Sequence, residues 1–279
     1  MGAIMVQGTT SSAGKSILCT ALCRIFKQDG MKVYPFKSQN MSSKYHKTKD
    51  GKIIAIAQAL QAWAAGLEPH ENMNPILLIP NSDLSSMLII NGEDSGETTS
   101  VDYFKNKAVL REMITERYKE VESLNDLVII EGAGSPAEIN LSKDDIVNMG
   151  MARIADAPVL LVTDIDRGGS FAAVYGTVML LENEDRRRIK GIVFNKFRGD
   201  RSLLEPGIEM LEKLIDIPVV GIIPYIDLNI ADEDTLTDKT KKCEDGSQTR
   251  DELEEELEKL AEVVRANIDM DIICKLAGI

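Results

Sequence analysis

The 279-residue chain has only two histidines and four cysteines, no excess of positive charge, and no long uncharged apolar run. Each shortage removes a class of function. His46 and His70 have no Asp, Glu or Cys partners at ligand spacing, so neither reads as a metal ligand. Cys19, Cys23, Cys243 and Cys274 form no C-x₂-C pair. Cys19 and Cys23, one helical turn apart, read as small apolar core residues of a reduced, cytoplasmic protein. No window approaches the 18 uncharged apolar residues of a membrane span. The N-terminus enters an apolar strand without a basic leader, so no secretory signal is expected. The net charge of −13 argues against nucleic acid as partner, because phosphate backbones demand a local excess of Lys and Arg.

Against these absences stands Gly8-Thr-Thr-Ser-Ser-Ala-Gly-Lys-Ser16. It follows the apolar run Ala3–Val6 and leads into Ile17–Cys23, which has helical apolar spacing. Strand, Gly-containing loop and helix therefore come in the order a phosphate-binding loop requires. Backbone N–H groups from Gly8, Thr9, Thr10, Ser11, Ser12, Ala13, Gly14, Lys15, Ser16 and Ile17 would cradle phosphates at the positive end of a helix. Lys15 would reach the β/γ-phosphates, and the Ser16 hydroxyl would hold Mg²⁺. The usual first glycine falls at Thr9 here, with Gly8 one residue earlier.

Apolar runs at Val33–Phe36, Leu127–Ile130, Val159–Val162, Gly191–Phe194 and Val219–Ile223 are continuous rather than alternating, the signature of strands buried on both faces. Helical patterns between them (Lys15–Asp29, Phe171–Leu181, Leu203–Ile215) predict an α/β fold, a doubly wound, mostly parallel sheet. The expected organisation is an ATP-binding domain over 1–238, a polar linker over 239–250 and a C-terminal helical tail over 251–279. The tail carries Leu253, Leu257, Leu260 and Val264 at helical spacing, packing on the main domain or on a partner.

Ligands of such sheets sit at strand ends, and the polar residues that matter follow them. Glu131, ending Leu127–Ile130, is placed to bind Mg²⁺. Lys37 follows the second strand, where it would stabilise a transferring phosphoryl group. Gln39, Asn40, Gln58, Asp164 and Arg167 are candidate substrate contacts. Asp50, before Gly51, is a further candidate Mg²⁺ ligand. Asn195 offers donor and acceptor together to a nucleobase edge. Arg198 stands where a guanine-reading Asn-Lys-x-Asp motif carries its acid, so adenine is expected.

Taken in order, Gly8 to Ser16, Pro35 to Met41, Ala57 to Ala62, Met73 to Leu78, Glu131 to Leu141, Asp145 to Ala152, Asp164 to Gly169, Asn195 to Asp200 and Gly221 to Tyr225 resemble the cobyric acid synthase family. More broadly they resemble dethiobiotin-synthetase-like phosphate-loop ligases. The resemblance implies that ATP with Mg²⁺ activates a small-molecule carboxylate, corrinoid-like or diverged, for amidation in cobalamin biosynthesis. The family draws ammonia from glutamine through a domain with a nucleophilic Cys in a Gly-rich turn. No cysteine here sits in one, so the resemblance implies free ammonia or a separate glutaminase subunit; a homodimer stays open. Ile53, Ile56 and Ile79 replace an acid, an arginine and a lysine of the family pattern. Two alternatives follow: a diverged nucleotide-binding paralogue with a regulatory or partner role, or a dethiobiotin-synthetase-like ligase on a small substrate.

Overall fold

The computed structural model describes residues 2–82, 84–229 and 249–279. The expected linker over 239–250 lies almost wholly outside the described residues, as does Cys243.

A six-stranded parallel sheet organises the molecule. Its strands are β1 (Gly2–Gly8), β2 (Val33–Phe36), β9 (Leu127–Glu131), β10 (Val159–Asp164), β11 (Ile189–Phe197) and β12 (Val219–Pro224), in the order β12-β11-β10-β1-β9-β2. The unbroken apolar runs have a direct cause. Along β1, Ile4 and Val6 enter the core on one face while Met5 enters the core on the other, and along β9 Leu127 and Ile129 oppose Val128 and Ile130. A strand covered on both faces has no solvent side to carry polar residues. β1 lies between β9 and β10. The chain order reverses there, and the loop leaving β1 opens at that switch point.

Helix α1 (Lys15–Gln28) begins directly after the loop. Its N-cap residue Gly14 has φ 100°, and a Cβ there would stand 1.9 Å from Asn195 Nδ2, so both the backbone angle and the space require glycine. The crossover from β2 to β9 holds an elaboration of its own. Strands β3 (Gln39–Met41), β6 (Ile76–Pro80), β7 (Ser85–Ile90) and β8 (Glu93–Thr99) form a second sheet, and β4 (Tyr45–Lys47) pairs with β5 (Ile53–Ala55) as a hairpin. Helices α2 (Ile56–Ala64), α3 (Ser100–Lys105) and α4 (Lys107–Leu124) complete the elaboration. The rest of the sheet is covered by α5 (Met149–Ile154), α6 (Ser170–Leu180), α7 (Asn183–Arg186) and α8 (Glu205–Ile215).

The C-terminal segment packs on the main domain. Helix α9 (Arg250–Asn267) opens with a capping box, the Thr249 side chain accepting from Glu252 N–H and Glu252 accepting in return from Thr249 N–H. Leu257, Leu260, Ala261 and Val264 join the same core as α1, and Arg24 Nε donates to Glu258 Oε1 at 2.8 Å. Helix α10 (Met270–Ala277) ends against β1, so closely that a Cβ on Gly2 would meet the Ala277 carbonyl. Burying the leucines and valine of α9 contributes about 1.5–3 kcal/mol per side chain, enough to make this segment integral to the domain.

Candidate functional site

The site is built where β1, β9 and β2 end. Glu131, the last residue of β9, is fully buried, and four side chains hold its carboxylate. Ser16 Oγ from α1 donates to Oε1 at 2.7 Å, and Lys37 Nζ, just past β2, donates to the same oxygen at 2.7 Å. Gln58 Nε2 and Gln61 Nε2 donate to Oε2 at 3.2 and 2.5 Å. Burial alone would push the Glu131 carboxyl up, but the Lys37 ammonium and the hydrogen bonds from Lys37, Ser16 and Gln61 hold it below the usual carboxylate range. The site therefore presents a carboxylate anion touching the hydroxyl of the phosphate loop.

Lys15 Nζ folds over the loop and donates to the Thr10 and Gly134 carbonyls at 3.1 and 3.2 Å. Its second partner belongs to the turn after Glu131. Asn148 fixes that turn from outside, donating to Ala133 O at 2.6 Å and accepting from Ala133 N–H at 3.1 Å. On the opposite flank Asn195 Nδ2 donates to Ala13 O at 3.0 Å, and Lys196 Nζ donates to Ser12 O at 2.7 Å and to Asp164 Oδ2 at 3.0 Å. The end of β11 thus clamps the phosphate loop, and Lys196 takes a left-handed backbone, φ 61°, to do so. Thr9 Oγ1 donates to Thr163 Oγ1 at 3.1 Å.

The residues read as substrate contacts divide into separate groups. Asn40 Nδ2 donates to Gln58 Oε1 at 3.0 Å, so both belong to the network around Glu131. Asp164 and Arg167 pair with each other, Oδ2 to Nε at 3.6 Å, on the β10–β11 flank. Gln39 lines a cavity of about 540 Å³ that also reaches Gly134, while none of Lys37, Asn40, Gln58, Asp164 and Arg167 lines it. Asp50 sits exposed in the β4–β5 turn, where a hydrogen bond from Thr48 Oγ1 at 2.5 Å holds its carboxyl low. No contact among the described residues joins Asp50 to Ser16 or Glu131. Ile79 and Ile53 pack in a small apolar cluster with Ala55, Leu77 and Ile89, and neither lines the cavity.

Sequence reasoning overlooked Gln61, Lys196 and Asn148. Gln61 had a signal: it lies three residues after Gln58 on a helix, so the two amides share a face. Asn148 acts on backbone groups of the turn, and Lys196 on the Ser12 carbonyl and the distant Asp164 carboxylate, and nothing in a linear sequence marks such targets.

A phosphate loop at the switch point of a parallel sheet, with an acid at the end of the neighbouring strand bonded to the loop serine, defines a P-loop nucleotide-binding domain. The chain belongs to the family described as the CobQ/CobB/MinD/ParA nucleotide binding domain, which matches residues 4–237. It is 57% identical over 234 residues to the cobyric acid synthase of Clostridium acetobutylicum, covering 84% of this chain and 48% of that protein. It is 56% identical over 238 residues to the cobyric acid synthase of Alkaliphilus metalliredigens, covering 85% and 47%. The chain spans about half the length of these relatives. Among solved structures, the MinD cell division protein of Aquifex aeolicus is 15% identical with a TM-score of 0.45, over 95% of this chain and 97% of MinD.

Proposed function

We propose that the chain acts as an ATP-dependent amide-forming ligase of the cobyric acid synthase type, activating a corrinoid carboxylate in cobalamin biosynthesis. The observation that carries the reading is the Ser16–Glu131–Lys37 cluster, 2.7 Å on each side, directly behind the phosphate loop. The identity to cobyric acid synthases supports the choice of acceptor.

The donor set fits Mg²⁺. Ser16 Oγ and Glu131 Oε1 are adjacent hard oxygens, and Mg²⁺ characteristically takes one or two protein oxygens together with water and substrate phosphates. Ser16 would hold the ion directly and Glu131 directly or through water. When bound, the ion would supply charge neutralisation to the nucleotide phosphates. Among the described residues no group of three or more His, Cys, Asp and Glu side chains could hold a metal by itself.

The chain's own groups do the rest. The Thr9 N–H is held by Val162 O at 2.9 Å, so the backbone N–H groups beyond it, from Thr10 to Ile17, bind the phosphates, and Lys15 exchanges its carbonyl partners for β/γ-oxygens. The acceptor carboxylate attacks the γ-phosphorus and ADP leaves. Ammonia then adds to the acyl phosphate, which expels inorganic phosphate and leaves the amide. Lys37, already beside the site, stabilises the charge that moves through the transferring group. Ammonia is supplied free or by a separate glutaminase subunit. In this reading Asn195, whose Nδ2 donates to Ala13 O, contacts the base edge, and adenine is the base assigned.

One observation bears on the alternative of a paralogue that has lost amidation. That alternative rests on the isoleucines at charged family positions, yet Ile53 and Ile79 face an apolar cluster. Their cost to acceptor binding is correspondingly smaller. The test is ADP formation by the purified chain with ATP, Mg²⁺, ammonium and cobyrinic acid diamide. Acceptor-dependent turnover supports the ligase; nucleotide binding without turnover on any carboxylate supports the paralogue.

A further inference from the structure

The cavity between the second sheet and the turn at residues 133–138 is not used by the nucleotide site, yet it touches that site at one point. Gly134 lines it, and the Gly134 carbonyl accepts from Lys15 Nζ. A ligand filling the cavity would therefore touch the residue whose carbonyl holds the Lys15 ammonium.

Its wall carries a side-chain amide whose donor end has no partner among the described residues. Gln39 lines the cavity, and the Tyr103 hydroxyl, also on the wall, donates to Gln39 Oε1 at 2.5 Å. That contact occupies the carbonyl end of the amide and leaves the N–H₂ end as donor, with no hydrogen-bond partner among the described residues. Tyr103 is buried, and burial pushes its phenol up, so at neutral pH it remains the donor that fixes the amide. The charged groups nearby largely answer one another. Lys107 lies within the field of Asp145 and Asp144, and Arg153 is paired with Asp185 at 2.5 Å. Glu138, whose Oε1 accepts from Ser135 N–H, and Asn148 also line the cavity, and the remaining wall is mostly hydroxyl and hydrocarbon, from Ser85, Ser86, Thr98 and Leu78 among others.

We infer that this cavity is the acceptor site, and that Gln39 receives the acceptor's carboxylate, or an amide already formed on it, through its N–H₂. Tyr103 is a positioning residue that holds Gln39 in the donor orientation. The second sheet, inserted between β2 and β9, is the element that builds the site. The inference rests on the ligase reading above and adds to it the residues that recognise the substrate.

The experiment is a titration of cobyrinic acid diamide into the full chain with Mg²⁺ and a non-hydrolysable ATP analogue, repeated with Gln39→Glu and Tyr103→Phe. Gln39→Glu exchanges the donor for an anionic acceptor of the same shape. It should weaken corrinoid binding at least tenfold while the ATP analogue binds within twofold of wild type. In steady-state turnover with ATP and ammonium in place of the analogue, Tyr103→Phe should raise KM for the corrinoid several-fold with kcat changed less than twofold, a split that a general loss of stability would not produce. Should Gln39→Glu fail to fold, Gln39→Met removes the donor without adding charge and carries the same expectation. Corrinoid bound equally by wild type and the Gln39 variants overturns the site and leaves the ligase reading standing. Absence of corrinoid binding to wild type that still binds the ATP analogue overturns the reading, and the site with it.

Discussion

Replacing Lys37 by Met keeps the hydrocarbon stem and removes the ammonium from a fully buried carboxylate. Breaking a buried ion pair from one side costs about 3–5 kcal/mol, because the surviving charge has lost its compensation. Ser16, Gln58 and Gln61 still donate to Glu131, so the lower end, about 3 kcal/mol, is expected. A domain stable by about 5–15 kcal/mol tolerates that loss. With a urea slope of about 3 kcal/mol per molar, the midpoint falls by about 1 M. The pH dependence is diagnostic. In the wild type the Glu131 pKa lies below its unfolded value, so its contribution is full above the unfolded pKa and is lost as pH falls through the folded one. In the variant, burial acts without the cation and the pKa rises above the unfolded value. The penalty then sets in as pH rises through that raised pKa and is relieved on acidification. Urea unfolding without nucleotide at about pH 7.5 and about pH 5.5 should therefore show a smaller gap between the two proteins at the lower pH. Adding Glu131→Gln to Lys37→Met should recover most of the loss. An unchanged midpoint at about pH 7.5, or an equal gap at both values, would refute the assignment of Lys37 as the charge partner.

Three further expectations follow from the site. Lys15→Ala should abolish ATP turnover and weaken nucleotide affinity by calorimetry, and affinity and turnover equal to wild type would remove Lys15 from phosphate binding. In a competition assay ATP should displace a bound fluorescent nucleotide at lower concentration than GTP, since Arg198 pairs with Asp166 at 3.3 Å and lies over the Tyr225 ring where a guanine reader carries an acid; equal potency would contradict adenine selection. Burial, with the charge of Glu131 added, pushes the Cys19 and Cys23 thiols up, so neither should react with iodoacetamide at neutral pH in the folded chain. Mass spectrometry finding rapid alkylation at either position would show that helix α1 is not packed as described.

The parallel sheet was legible because both of its faces are covered, so its strands stand out as unbroken apolar runs, and the Gly8–Ser16 loop advertised itself through its flanking strand and helix. Helix α1 was expected to Asp29 and ends at Gln28, while the helix expected from Leu203 starts at Glu205. The second sheet was not legible. β8 reads Glu-Asp-Ser-Gly-Glu-Thr-Thr and is almost wholly exposed at an edge, so it has neither an apolar run nor an alternating one. β3 is only three residues, Gln-Asn-Met, and its pairing with β6 depends on a partner more than thirty positions away. The same blindness shaped the site. Glu131 and Lys37 could be placed at strand ends, but their direct pairing, and the separation of Gln39 from Asn40 and Gln58, depend on how the β2–β9 elaboration folds back. Ile53 and Ile79 stand at charged family positions, yet Ile79 belongs to an apolar cluster with Ala55, Leu77 and Ile89, and Ile53 packs against it, a placement set by the same elaboration.

Transfer of ¹⁸O from the acceptor to phosphate addresses the central claim most directly. Cobyrinic acid diamide labelled with ¹⁸O in its carboxylates is incubated with the chain, ATP, Mg²⁺ and ammonium, and the released inorganic phosphate is read by mass. An acyl phosphate intermediate carries one carboxylate oxygen to phosphorus, so one labelled phosphate is expected for each amide formed. Unlabelled phosphate accompanying amide formation, or ADP production that does not depend on the acceptor, would contradict the account.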